Sequence, residues 1–349
     1  MGAEGTSTCA PGKKAEFSVG VIGYGYWGPN IVRNFCGLDN ACVKSVCDKN
    51  PQSLKKVKAL YPSVTVTEND ADILTAKDID IVAIITPVSA HHELAKQALL
   101  NGKHVFVEKP FTATVAQAEE LIEIAARKNL QIMVDHTFLF TGAVRKIKDL
   151  VDEGLLGRIY YYDSTRVNLG LFQHDVNVVW DLAPHDFSIM QHIITQKPSA
   201  VVATGSAHVN GKEDVAYVTV YFPDSVIAHF NVNWLSPVKV RTTLIGGANK
   251  MLLWDDVEPD EKIKIYDRGV TKGENPEGIH ELLVSYRMGD IWAPRIDQVE
   301  ALKLAAQNFV DAVVKDGELL TDGAAGLGVV RMLEAAQESL KSRGGMVYL

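Results

Sequence analysis

Three short groups of residues in this 349-residue chain have the types and spacing to do chemistry. The first, Gly23-Tyr24-Gly25-Tyr26-Trp27-Gly28, is a G-x-G-x-x-G run between the apolar stretch Val19-Gly20-Val21-Ile22 and a helix-period segment. In that setting Gly23 makes a tight turn and Gly25 lets the backbone approach a pyrophosphate. Gly28 allows close helix–strand packing, and the helix start stabilises the anion. Asp48 stands 20 residues after Gly28, at the end of the next strand-like run. Its carboxylate suits the adenosine ribose hydroxyls and repels a 2′-phosphate, which favours NAD over NADP; Lys49 softens that preference.

The second group is Glu108-Lys109-Pro110, directly after the apolar run His104–Val107. Ligands of open parallel sheets bind outside the carboxyl ends of strands, where Lys109 falls as an acid/base or hydroxyl-orienting group. Taken alone, a Lys-Pro at a strand end is also an ordinary turn. The third is Asp181-Leu182-Ala183-Pro184-His185-Asp186. Pro184 is expected within the first turn of a helix, so the helix should start near Asp181 as N-cap, with Asp181 and His185 on one face. An isolated His in such a place also reads as a capping or core residue.

These groups need elements to position them. Strand-like runs at Phe17–Ile22, Cys42–Cys47, Ile79–Ile85, His104–Val107 and Gln131–Val134 alternate with helix-period segments at Trp27–Phe35, Pro51–Leu60, Ala90–Leu100 and Val115–Lys128. That rhythm predicts βαβ units around a parallel sheet covered on both faces. After about His136 a helix at Gly142–Glu153 is followed by alternating runs rich in Val, Tyr and Thr. They occupy Arg158–Val167, Ser199–Val209, Val215–Phe222, Val226–Trp234, Val238–Gly246 and Met251–Trp254, and predict an antiparallel sheet. Asp267–Gly278 reads as a surface loop, and Gln298–Lys315 and Ala324–Ser342 as closing helices. The expected fold class is therefore α/β: an N-terminal Rossmann-type doubly wound parallel sheet and a C-terminal α+β domain on a large open, mainly antiparallel sheet. The expected division is a tail over 1–16, a cofactor domain over 17–136, and a substrate and oligomerisation domain over 137–349 whose last helices pack back on the first.

Composition narrows the partners. With 35 Lys and Arg against 43 Asp and Glu, the net charge is −8, which excludes an electrostatic nucleic-acid or membrane-surface binder. No apolar run approaches the ~18 residues of a membrane span. Cys9, Cys36, Cys42 and Cys47 have no C-x-x-C spacing and read as reduced thiols of a cytoplasmic protein, with no metal site expected. The opening Met1-Gly2-Ala3-Glu4-Gly5-Thr6 formally fits a myristoylation pattern but reads as a small-residue tail.

Jointly, and in this order, the strand-G-x-G-x-x-G unit, Glu108-Lys109-Pro110 and Asp181-x-x-x-His185 resemble the glucose–fructose oxidoreductase / inositol dehydrogenase (Gfo/Idh/MocA) family from Phe17 onward. The resemblance implies an NAD-dependent sugar dehydrogenase in which Lys109 and His185 are the catalytic pair and Asp181 the partner acid. It also implies that Thr86, Pro87 and His91 lie beside the nicotinamide ribose, and that the second domain's sheet builds a homodimer or homotetramer. Tyr26, Trp27 and Glu108 fall in the same cofactor-binding stretches. Finer wording is similar to enzymes oxidising UDP-N-acetyl-hexosaminuronic acids at C3: Gly25-Tyr26-Trp27-Gly28-Pro29-Asn30, His136-Thr137-Phe138 and Arg166-Val167-Asn168-Leu169-Gly170. Arg166 and Asn168 are then candidate substrate contacts, as an Arg fork suits a carboxylate or phosphate; they read equally as a surface Arg and a turn Asn. Tyr286 and Trp292 are further candidates to line the cleft. An inositol or free-sugar dehydrogenase is the alternative, with an NAD-dependent glycosidase or a silent NAD-binding regulator behind it.

Overall fold

The computed structural model describes residues 16–170, 172–272, 284–315 and 317–349. The expected tail, the myristoylation pattern and Cys9 therefore lie outside the described residues, apart from Glu16. Cys36, Cys42 and Cys47 are not joined in disulfides. The chain divides into two units: residues 1–140 with 299–331, and residues 141–298 with 332–349.

The first unit is built on six parallel strands, β1 (Phe17–Ile22), β2 (Ala41–Cys47), β3 (Thr65–Thr67), β4 (Ile81–Ile84), β5 (His104–Glu108) and β6 (Ile132–Asp135). Their order is β3-β2-β1-β4-β5-β6, so the direction of winding reverses between β1 and β4. Helices α1 (Gly28–Cys36), α2 (Pro51–Leu60), α3 (Ala71–Leu74), α4 (Val88–Leu100) and α5 (Val115–Lys128) connect them. All four residues of β4 are buried, as in a strand covered on both faces. The local starts follow capping chemistry. Asn50 accepts the Gln52 N–H before α2, and Thr114 accepts the Gln117 N–H before α5.

The second unit opens with α6 (Gly142–Asp152), β7 (Ile159–Leu169) and α7 (Val178–Ile193), and continues through β8 (Ala200–Ser206), β9 (Val215–Tyr221), β10 (Ile227–Asn233), β11 (Leu235–Gly247), β12 (Met251–Asp255), β13 (Ile263–Lys272) and β14 (Val284–Trp292). Helix α8 (Ala301–Lys315) belongs to the first unit, α9 (Gly323–Lys341) runs through the dividing point, and β15 (Val347–Tyr348) ends the chain. The nine-stranded sheet has the order β14-β13-β12-β11-β7-β10-β9-β8-β15. Its pairings are antiparallel except that β7 and β10 run parallel. On β7 and β10 the residues Tyr162, Ser164, Arg166, Ala228, Phe230 and Val232 are buried. Phe187 of α7 packs edge-on against Phe230 with centroids 4.8 Å apart, so α7 covers this face.

Two expectations change. Asp267–Gly278 is not a loop from its start, because β13 continues to Lys272 and pairs with β14 from Ile265 to Lys272. Gly269 stays in register with Arg287, and the remainder of the expected loop, from 273 on, lies outside the described residues. Helix α7 starts at Val178 rather than near Asp181: Asn177 is the N-cap, its Oδ1 accepting the Trp180 N–H at 3.1 Å. Pro184 consequently lies inside the helix, where its ring removes the N–H that would bond the Trp180 carbonyl.

Candidate functional site

The carboxyl ends of β1, β2, β4, β5 and β6 gather the residues of the first unit. Gly23 has φ +101°, and a Cβ there would lie 2.2 Å from the Ile85 carbonyl oxygen, so the turn admits no side chain. A Cβ on Gly28 would sit 2.8 Å from the Gly23 oxygen, whereas one on Gly25 would meet nothing within 4 Å. Gly23 and Gly28 thus shape the turn, and Gly25 borders open space that a ligand can enter. Asp48 buttresses the loop: its carboxylate accepts the Tyr24 N–H at 2.6 Å and the Asn50 N–H at 2.7 Å. Lys49 beside it is exposed, and Tyr26 is 90% exposed.

Trp27 joins the loop to β6, its indole N–H donating to Asp135 Oδ2 at 3.3 Å. Asp135 also accepts the Thr137 hydroxyl, and it stands in register with Glu108 across the β5–β6 pair. Burial and the neighbouring Asp135 hold the Glu108 carboxyl well above the usual carboxylate range, and burial raises Asp135 as well. Lys109 follows directly, and the Lys109–Pro110 peptide bond is cis.

Three buried groups here have polar atoms without a protein partner: Thr86 Oγ1, Glu108 Oε2 and both ring nitrogens of His136. Buried polar atoms are normally paired, so this concentration at strand ends marks a place built for a polar ligand. Glycine shape, the Asp48 carboxylate and these atoms fit an NAD molecule. Burial, reinforced by the Lys109 charge, pushes the His136 imidazole down to about 3, so it stays neutral.

His91, which the resemblance put beside the nicotinamide ribose, has both ring nitrogens against backbone carbonyls. It is 1% exposed, with Nδ1 2.9 Å from the Pro110 carbonyl oxygen and Nε2 2.8 Å from that of Thr86. It clamps the turn after β4 to the turn carrying Lys109, and Pro87 is the N-cap residue of α4.

In the second unit Asp181 and His185 lie one turn apart on α7, both partly buried. Asp181 Oδ2 accepts the indole N–H of Trp234 at 3.1 Å, and the His185 carbonyl accepts the Ser188 hydroxyl at 2.7 Å. Arg166 has an internal partner: Nε and one terminal nitrogen each reach an Asp186 oxygen at 2.8 Å, with side chains 5% and 2% exposed. Its fork is therefore spent on α7, which corrects the expectation of an Arg166 fork for substrate. Asn168 is partly buried further along the same face, near Gly170 and Trp234. Tyr286 and Trp292 lie on β14, the edge strand, 79% and 39% exposed.

Sequence reasoning missed Asp135, Asp186 and Trp234, which hold Trp27, Arg166 and Asp181. Asp135 and Asp186 had a signal, each being an acid beside an apolar run (Ile132-Met133-Val134 and Phe187-Ser188-Ile189-Met190). Trp234 had none, since its contact with Asp181, 53 residues earlier, depends on tertiary packing. Among the described residues no group of three or more His, Cys, Asp or Glu could hold a metal ion, and no helix is long and apolar enough to cross a membrane.

Comparison with known proteins agrees with this architecture. A family model described as "Oxidoreductase family, NAD-binding Rossmann fold" matches residues 17–136, and one described as "GFO/IDH/MocA C-terminal domain" matches 144–252. An uncharacterized oxidoreductase of Escherichia coli (strain K12) is 34% identical over 183 residues, 48% of this chain and only 50% of that protein. A UDP-N-acetylglucosamine 3-dehydrogenase of Acidithiobacillus ferrooxidans is 26% identical over 325 residues, 91% of this chain and 94% of that one. The crystal structure of a putative oxidoreductase from Magnetospirillum magnetotacticum MS-1, 27% identical, superposes with a TM-score of 0.78 over 92% of this chain and 99% of that one.

Proposed function

Since the chain belongs to the Gfo/Idh/MocA oxidoreductase family, we propose that it is an NAD-dependent dehydrogenase of a secondary sugar hydroxyl. Its substrate in this reading is a UDP-linked N-acetylated hexose or the corresponding uronic acid, oxidised at C3. The observation that carries the substrate class is similarity to a UDP-N-acetylglucosamine 3-dehydrogenase along 91% of the chain.

The loop Gly23–Gly28 would hold the pyrophosphate, Asp48 the adenosine ribose, and Thr86 and Glu108 the nicotinamide ribose. NAD, when bound, supplies the acceptor for a carbinol hydride. The protein's own groups handle the proton. His185 takes it from the sugar hydroxyl as general base, and returns it when the ketone is reduced. The Lys109 ammonium stabilises the oxygen as negative charge develops. Asp181 favours the imidazolium that forms on His185. The carboxylate of Asp48 repels a 2′-phosphate, which supports NAD over NADP.

We assign self-association to the sheet face opposite α7, where Tyr217, Ile227 and Leu244 are exposed at 45%, 39% and 43%. Light scattering on the purified protein should give a dimer or tetramer, and a monomer refutes this assignment. The activity test is NADH formation from UDP-N-acetylglucosamine, its uronic acid, free hexoses and inositols. UDP-sugars should turn over fastest. His185→Asn and Lys109→Ala should each lower turnover by about 10²-fold or more with NAD binding retained. Near wild-type turnover in either variant refutes that residue's role.

A further inference from the structure

Arg241 stands directly opposite Arg166 in the β11–β7 pairing, on the sheet face that α7 covers. The two guanidiniums are treated very differently. Arg166 is enclosed and bound at both ends of its fork by Asp186. Arg241 keeps 35% of its side chain exposed, and its contact to Asp256 is a long 3.5 Å. Asp256 is itself shared, because Lys262 donates to its backbone carbonyl at 2.6 Å and lies 3.9 Å from its carboxylate.

Three cations (Arg166, Arg241 and Lys262) thus meet two carboxylates (Asp186 and Asp256); Arg241 and Lys262 both reach solvent, and of the two guanidiniums only Arg241 does. Partial burial and the neighbouring Arg166 charge lower the Arg241 pKa, so an added anion there relieves a repulsion. Asp186, which ties this cluster to α7, is next in sequence to His185. A guanidinium in such a place pairs best with a planar or tetrahedral oxyanion, through two parallel hydrogen bonds.

We propose that Arg241 is the anion-recognising residue of the second unit and binds an acidic oxygen of the sugar substrate, a ring carboxylate or the diphosphate of its nucleotide. The proposal takes its substrate class from the dehydrogenase reading, but its test reads binding alone. Titration calorimetry on the full-length protein uses two probes, UDP for the diphosphate and free glucuronic acid for the carboxylate. Arg241→Gln should weaken whichever probe the residue holds by about tenfold or more, and Arg241→Lys should keep part of the affinity. Lys239→Gln, an exposed neighbour on β11, should change neither. A loss confined to UDP assigns the diphosphate, and a loss confined to glucuronic acid assigns the carboxylate.

The proposal is overturned if Arg241→Gln binds both probes as the wild type does, or if Lys239→Gln loses as much as Arg241→Gln. It is overturned equally if the wild type binds neither probe. Thermal melts of all three variants separate lost binding from lost folding. Should Arg241→Gln fail to fold, Arg241→Lys decides: weakened binding supports the assignment, and wild-type affinity for both probes overturns it. Failure of the dehydrogenase reading looks different: no sugar yields NADH, whatever the probes do.

Discussion

Breaking the Arg166–Asp186 pair from one side should cost far more than removing it whole. Both side chains are at most 5% exposed and joined by two hydrogen bonds of 2.8 Å. Asp186→Asn leaves a guanidinium buried against β7 with a neutral partner. An uncompensated buried charge costs about 3–5 kcal/mol. For a unit of this size each kcal/mol is worth ~2–4 °C, so the unit's melting point should fall by roughly 6–20 °C. Arg166→Met should cost less, because the neighbouring Arg241 charge still faces the Asp186 carboxylate. The double variant Arg166→Met/Asp186→Leu replaces both charges by packed apolar groups and should recover most of the loss, because neither ion is then desolvated. Calorimetric melts and urea unfolding of the four proteins close this cycle. A single variant melting within about 2 °C of wild type, or a double variant as unstable as the sum of the singles, refutes the reasoning.

Other outcomes follow from the same geometry. Because His136 is held down at about 3 from an ordinary 6.5, stability tied to its neutral form is complete above pH 6.5 and lost as pH falls toward 3. That 3.5-unit gap is worth at most about 5 kcal/mol, and His136→Leu should flatten this acid limb in urea unfolding between pH 7 and 4; an unchanged slope rules it out. Gly23→Ala puts a Cβ 2.2 Å from the Ile85 oxygen at φ +101°, and should abolish NAD binding in a fluorescence titration with a stability loss of at least ~2 kcal/mol. Asp48→Ser removes the charge that opposes a 2′-phosphate, so the NADP-to-NAD ratio of kcat/KM should rise by about tenfold or more. An unmoved ratio would show that Asp48 serves only as the acceptor for Tyr24 and Asn50.

The difference between the two halves of the candidate site explains how much of each was readable. Gly23–Gly28, Asp48 and Lys109 are local features: each depends on its position at the end of a strand, and strand ends follow from apolar runs and turn residues nearby. Sequence sufficed for them, and for the fold class, because period-2 and period-3.6 patterns report burial within one element. The same local logic misplaced the start of α7. It treated Pro184 inside a helix as forbidden, whereas burial of α7 against β7 and β10 outweighs one lost hydrogen bond.

What the chain by itself determined, then, is an alternating α/β unit with a glycine-rich turn after its first strand, a strand-rich second unit, and the candidacy of Lys109 and His185. Partnership between distant residues was decided only by tertiary structure. Arg166 could be a substrate fork or an internal ion pair, and α7 settled it by laying Asp186 across both nitrogens. His91 became a clamp because two turns brought their carbonyls to its ring. Arg241 gained meaning from register alone, since pairing β11 with β7 sets it against a cation whose partner is already taken. The physical reason is common to all three. A side chain's type fixes the bonds it is able to make, and the desolvated neighbours that folding brings to it fix which of those bonds exist.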